Sequence, residues 1–237
     1  MQIDADPTAA APTVPQVRRG WHAVLAAWTW LGLTVQFLVT ASGAYPAAAV
    51  ASSLYGPGNP AGAAGVVGRI VDLFSYFTVW SNIAVAVVAT VIARQPQRDG
   101  RWLRAFHLSA LVMITVTGLV YGVLLSGRSE LHGFQYLSNF FVHQSVPLLA
   151  LVVFVVAGPR GWIDGPTILR CLVLPLAWIA YVLLRGLVIH AYPYFFMDVI
   201  TLGYGTAMEW VGGVLVFGLA VAAILLAVDR LLLRRRR

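Results

Sequence analysis

Six stretches of about 20 or more largely apolar residues, at 21–40, 70–93, 103–125, 137–157, 169–189 and 206–228, leave this chain few ways to fold. An α-helix rises about 1.5 Å per residue, so about 20 apolar residues cross the hydrocarbon core of a bilayer. Inside lipid no water satisfies backbone N–H and C=O groups, and only a helix or a closed barrel pairs them internally. Runs this long without strict alternation predict helices. The expected fold is therefore all-α: a polytopic membrane protein whose residues 17–233 form a single bundle of six transmembrane helices. Composition agrees, since the chain is 59% hydrophobic and only 11% charged, whereas a soluble domain carries roughly a quarter charged residues. Mean hydropathy is +0.80. Residues 1–16, MQIDADPTAAAPTVPQ, lack apolar periodicity and are expected to form a disordered tail. The first apolar stretch exceeds the roughly 7–15 residues of a signal-peptide core, which predicts a retained helix.

All sixteen basic residues are arginines, in a lysine-free, Ala- and Gly-rich chain that suggests a bacterial source. Thirteen of them lie at one set of ends: Arg18 and Arg19, the loop between the second and third stretches, the loop between the fourth and fifth, and Arg230 with the basic tail 234–237. Arg69, Arg128 and Arg185 lie at the other. The positive-inside rule then predicts both termini in the cytoplasm of a multi-pass cell-membrane protein, and an even number of spans agrees. The +7 charge and pI near 10.1 are thus a topology signal. No arginine cluster has the interleaved aromatics of a nucleic-acid surface, so no nucleic-acid partner is expected. The lone Cys171 permits no internal disulfide and no Cys-based metal site.

Polar groups inside a membrane are costly, so their depth is informative. In the second stretch, Ser75, Thr78, Ser81 and Asn82 recur at spacings of three and four, one stripe of a continuous helix. Thr78 would lie about 9 Å below Asp72. In the fourth, Asn139 and His143 share a face, and Arg185 would lie about 9 Å inside the end of the fifth. Residues 190–205, HAYPYFFMDVITLGYG, carry Asp198 and enough Pro and aromatics to suit an interfacial cap. These groups share one level in the outer-leaflet half, which points to a polar pocket under a lid. Arg185 needs an acid, with Asp72, Asp198 and Glu209 in reach. His107, His132 and His190 read as ordinary interfacial or packing residues.

At these positions four local patterns occur in order: SYFTVWSN (75–82), NFFVHQSVP (139–147), YVLLRG (181–186) and YPYFFMD (192–198). Together they resemble the androgen-induced-gene and androgen-dependent TFPI-regulating proteins and their bacterial relatives. Animal members of that family are multipass threonine hydrolases that cleave fatty acid esters of hydroxy fatty acids. The resemblance implies Thr78 as nucleophile and His143 as its base. It also implies a lipid drawn from the bilayer as substrate.

The chemistry is compatible with that pairing. A Thr hydroxyl needs an adjacent base, and imidazole can accept and return its proton. Asn82 and Arg185 are candidate donors to an oxyanion, with Arg185 alternatively gripping a fatty carboxylate through its planar fork. Asn139, Asp72 or Asp198 could orient the imidazole. No cofactor is expected. Haem between His143 and His190, or a metal shared with His132 and Asp198, lacks any close-spaced ligand motif. The rival reading is a non-enzymatic membrane protein that binds or moves a small lipophile through the same pocket, with Thr and Ser merely cementing helices.

Overall fold

The computed structural model describes residues 13–44, 58–127 and 130–235. Seven helices occupy them: α1 (Val14–Ala41), α2 (Val66–Leu73), α3 (Phe77–Arg94), α4 (Arg101–Leu125), α5 (Phe134–Ala157), α6 (Gly165–Ile189) and α7 (Val199–Arg234). All but α2 are long and apolar enough to cross a membrane, so the chain is an all-α, multi-pass membrane protein. Among the described residues there is no strand.

Helix ends differ from expectation where local chemistry intervenes. α1 begins at Val14, inside the segment expected to be a disordered tail, because the Gln16 side chain accepts the Thr13 N–H (2.7 Å) and a proline pre-sets the first turn. Residues 1–12, Arg128 and the last two arginines lie outside the described residues. The second apolar stretch is not one helix. It breaks at Phe74–Tyr76, where Tyr76 is extended (φ −79°, ψ 130°). Ser75 therefore stands before α3 rather than on its stripe. α7 is longer than a bilayer requires and changes direction at Gly203, whose φ of +76° suits a residue without Cβ.

α1, α3, α4 and α5 form the closely packed block. Its interior combines aliphatic side chains such as Leu33, Val85, Leu108, Ile114, Val146 and Val153 with buried polar ones such as Thr29, Gln36, Ser81, Asn82, Thr117 and Ser138. Lipid offers no hydrophobic drive between helices, so close packing and interhelical hydrogen bonds hold them. Trp30 Nε1 donates to Thr90 Oγ1 (3.1 Å), and Trp28 Nε1 to Ser145 Oγ (3.0 Å). Ser81 and Thr117 hydroxyls meet at 2.9 Å, and Ser138 bonds Gln36. At Gly118 a Cβ would lie 3.0 Å from Pro147 Cβ, so α4 runs close against α5 beside His143.

α6 and α7 rest on α4 rather than on each other. Contacts define two ends of the bundle. At one, Arg18 donates to Pro96 O (2.9 Å), Asp164 lies in the field of Arg104, and Gly161 N–H donates to Asp229 (2.9 Å). The start of α1 and the finish of α7 share this end. At the other, Arg69 binds the α1 terminus at Ala41 O (2.8 Å) and Arg185 meets Asp72. The polar cluster lies at this second end.

Candidate active site

Thr78 occupies the second position of α3, directly after the break at Tyr76. Breaking the chain there creates a helix N-terminus within the bundle, whose first N–H groups have no partner in their own helix. His143 sits in a widened turn of α5, Phe141–Ser145, with five-residue hydrogen-bond spacing. Pro147, four residues on, lacks the N–H that would close onto the His143 carbonyl, and such insertions re-aim side chains.

The two helices bring Thr78 Oγ1 within 3.1 Å of His143 Nε2, while His143 Nδ1 lies 2.8 Å from Asn139 Oδ1. An amide oxygen only accepts, so Nδ1 carries the ring proton and Nε2 is left with its lone pair toward the threonine. Asn139 thereby selects the tautomer that can receive the Thr78 proton. Tyr121 of α4 stacks flat on the imidazole, with ring centroids 3.9 Å apart at 15°, and restricts its rotation. Thr78 is buried and His143 half-buried.

A third group was not anticipated. Tyr194, from the segment joining α6 to α7, has its hydroxyl near the Thr78 side chain and the backbone N–H groups of Thr78 and Phe77. Those two amides are the free donors of the α3 terminus. Burial pushes the Tyr194 phenol up to about 12, so it stays protonated and remains a donor. Its ring is held edge-on to Tyr76 (5.8 Å) and against Trp178 (6.2 Å). The sequence marks 190–205 as an interfacial cap, but nothing in YPYFFMD separates Tyr194 from Tyr192 or the neighbouring phenylalanines. Tyr192 instead fills the space over Gly186, where a Cβ would fall 2.1 Å from its ring.

The other sequence candidates are brought elsewhere. The Asn82 amide nitrogen donates to Thr78 O (2.8 Å) and Val142 O (3.1 Å). Its donors thus join α3 to α5 rather than facing a substrate. Arg185 donates to Asp72 (2.6 Å) and to Ser75 Oγ (2.9 Å), with both charged side chains mostly buried. This ion pair ties α6 to α2 and to the break before α3, and Asn59 Nδ2 bonds the same carboxylate at 2.5 Å. Asp198 caps α7, accepting the Ile200 and Thr201 N–H groups and the Thr201 hydroxyl. Of the three candidates to orient the imidazole, Asn139 is the one at its ring nitrogen. Ser81 bonds Thr78 O and Thr117 and serves packing. Among the described residues no three His, Cys, Asp or Glu side chains converge as a metal site would require. His132 is exposed beside Glu130, and His190 ends α6 in a left-handed conformation.

Thr78 and Tyr194 line a pocket that is open on one side and continues along α4, α6 and α7. Its walls come mainly from α4, α6 and α7, with Phe77, Tyr194, Phe196 and Met197, and are almost wholly apolar, whereas the sequence pointed to a polar pocket under a lid. Compared with known proteins, the chain matches no family model, no curated protein and no solved structure.

Proposed function

We propose that the protein is a membrane-embedded lipid ester hydrolase that uses Thr78 as nucleophile and His143 as general base. The observation that carries this reading is the line Thr78 Oγ1–His143 Nε2, His143 Nδ1–Asn139 Oδ1 at 3.1 and 2.8 Å, ending in an apolar pocket. Nucleophile, base and orienting group stand in the order that acyl transfer requires. The sequence resemblance to threonine hydrolases of fatty acid esters supports the same assignment.

In this reading Thr78 Oγ attacks the ester carbonyl carbon while its proton passes to His143 Nε2. Negative charge develops on the carbonyl oxygen, within reach of the Tyr194 hydroxyl and the N-terminal amides of α3, whose helix dipole favours an anion. Collapse breaks the bond to the leaving alcohol, and His143 returns its proton to that oxygen. The acyl-threonine is then cleaved by water, with His143 again taking the proton and returning it to Thr78 as the carboxylic acid departs. Tyr194 replaces Asn82 as the side-chain donor in this scheme.

The substrate is a long-chain ester drawn from the bilayer, with esters of hydroxy fatty acids the first to try. The arginine asymmetry supports a site in the outer half of the plasma membrane with both termini cytoplasmic. The test is labelling of purified protein with a fluorophosphonate lipid, located by mass spectrometry. An adduct on Thr78, lost in His143→Ala, together with hydrolysis of long-chain acyl esters over short water-soluble ones, is expected. Saturable lipid binding with no adduct and no hydrolysis would mean that the pocket only carries a lipophile.

A further inference from the structure

The pocket reaches far past the groups that the reaction needs. Along α4 its lining runs from Leu125 to Ser109, about 24 Å at 1.5 Å per residue. Along α7 it runs from Val211 to Ala222, about 16 Å. Thr78 and Tyr194 lie toward the Leu125 end, level with Thr117–Tyr121 of α4, so about 12–18 Å of that lining lies between them and Ser109, Cys171 and Ala222 at the other end. The polar groups along the way face partners of their own. Ser109 Oγ donates to Cys171 O (2.5 Å), Thr117 bonds Ser81, and Trp178 Nε1 donates to Ser75 O (3.0 Å). That leaves Thr78 and Tyr194 as the polar groups facing an occupant, and no charged side chain lines the wall. Such a cavity favours a long hydrocarbon chain with one polar group at its head. The pocket is open on one side, and Leu219 of α7, which lines it yet is 40% exposed, marks where a chain from the bilayer could enter.

The geometry points to a chain-measuring channel. The acyl arm of the ester enters between α6 and α7, and the floor formed by Ser109, Cys171, Gly218 and Ala222 limits its length. Gly218 is the position that keeps the lower channel open. A Cβ there would make ordinary contact with Val112 at 3.6 Å, so the backbone tolerates a side chain, and any larger one projects into the bore. It stands one helical turn, about 6 Å, above Ala222. Val214 stands one turn above that, nearer Thr78. This inference rests on the reading of Thr78 as nucleophile for its orientation of the ester.

The experiment is a homologous series of acyl esters, from octanoyl to stearoyl, with wild type, Gly218→Leu and Val214→Phe. Each methylene buried is worth about 0.8 kcal/mol, so wild-type kcat/KM should rise about fourfold per methylene up to a limiting length. Gly218→Leu should lower that limit by several methylenes and Val214→Phe by more, so that the ratio of octanoyl to stearoyl kcat/KM rises in that order. Unchanged limits in folded variants that still take up the fluorophosphonate on Thr78 would overturn the channel and leave the hydrolase standing. If wild type cleaves and labels nothing, the hydrolase fails, and thermal stabilisation by the matching free fatty acids decides the channel alone. Stabilisation that grows with chain length and is truncated in the same order by the variants supports it; stabilisation independent of length overturns it. Should Gly218→Leu not fold, Val214→Phe gives the same comparison.

Discussion

If Thr78 and His143, 3.1 Å apart, form one proton path as proposed, their substitutions should not add. Thr78→Ala and His143→Ala are each expected to lower ester hydrolysis by at least about a thousandfold, and the double variant should be no worse than the more damaged single. Thr78→Ser keeps a hydroxyl and should retain partial activity. A folded Thr78→Ala that still labels at the wild-type rate would remove the assignment. Tyr194→Phe tests the hydroxyl that faces the same spot: kcat should fall about a hundredfold with KM little changed, as when one oxyanion donor is lost. Because burial holds the Tyr194 phenol up near about 12, it keeps its proton well above the ordinary tyrosine range. The wild-type rate should therefore show no tyrosine-dependent decline at about pH 10, where an unshifted phenol is half ionised. Ser81→Ala removes hydrogen bonds to Thr117 and to the Thr78 carbonyl, which serve packing; it should cost about 0.6 kcal/mol per bond and leave hydrolysis largely intact.

At the scale of elements, the site depends on a break rather than on a helix. Had residues 70–93 formed one continuous span, the N–H groups of Phe77 and Thr78 would be used within it and could not face Tyr194. The break is braced by the Asp72–Arg185 ion pair and by Ser75, which bonds Arg185 and offers its carbonyl to Trp178. Removing one partner of a largely buried pair strands the other charge. Arg185→Gln alone is expected to cost about 1–3 kcal/mol, and Asp72→Asn combined with it less than that, read as thermal midpoints in detergent. Equal losses in the single and double variants would show that the pair does not hold the break. Gly186→Leu acts from the other side. Its side chain would occupy the place of the Tyr192 ring, so the segment carrying Tyr194 must shift, and probe labelling should slow while Thr78 and His143 remain unaltered.

Over the whole molecule, four helices supply a rigid block and two supply a container. α3, α4 and α5 interlock through small residues and hydroxyls, which suits the close positioning of Thr78 against His143. α6 and α7 meet α4 but leave space between themselves, and that space is the pocket. Orientation in the membrane is testable at the same scale. Reporter fusions after residues 97, 163 and 237 should report cytoplasm, and fusions after 58 and 131 the opposite side. The reverse pattern would put Thr78 in the inner leaflet and change which lipids can reach it.

Apolar length alone determines that this chain crosses a membrane six times, because the cost of unpaired backbone in lipid leaves helices as the solution. The i, i+4 spacing of Asn139 and His143 likewise makes their contact legible before any fold is known, since residues four apart share a helix face. Other features depend on residues far apart in the chain. Whether Arg185 meets Asp72, Asp198 or Glu209 depends on how α6 lies against α2. Asn82 looks like a free donor until Val142, sixty residues on, supplies a carbonyl in reach. The bend at Tyr76 carries no Pro or Gly to announce it; it is held by partners on α6 and in the segment after it. Tyr194 is one aromatic among several until that segment folds back onto α3. Periodicity reports which face a residue occupies, and the packing of helices then decides what that face meets.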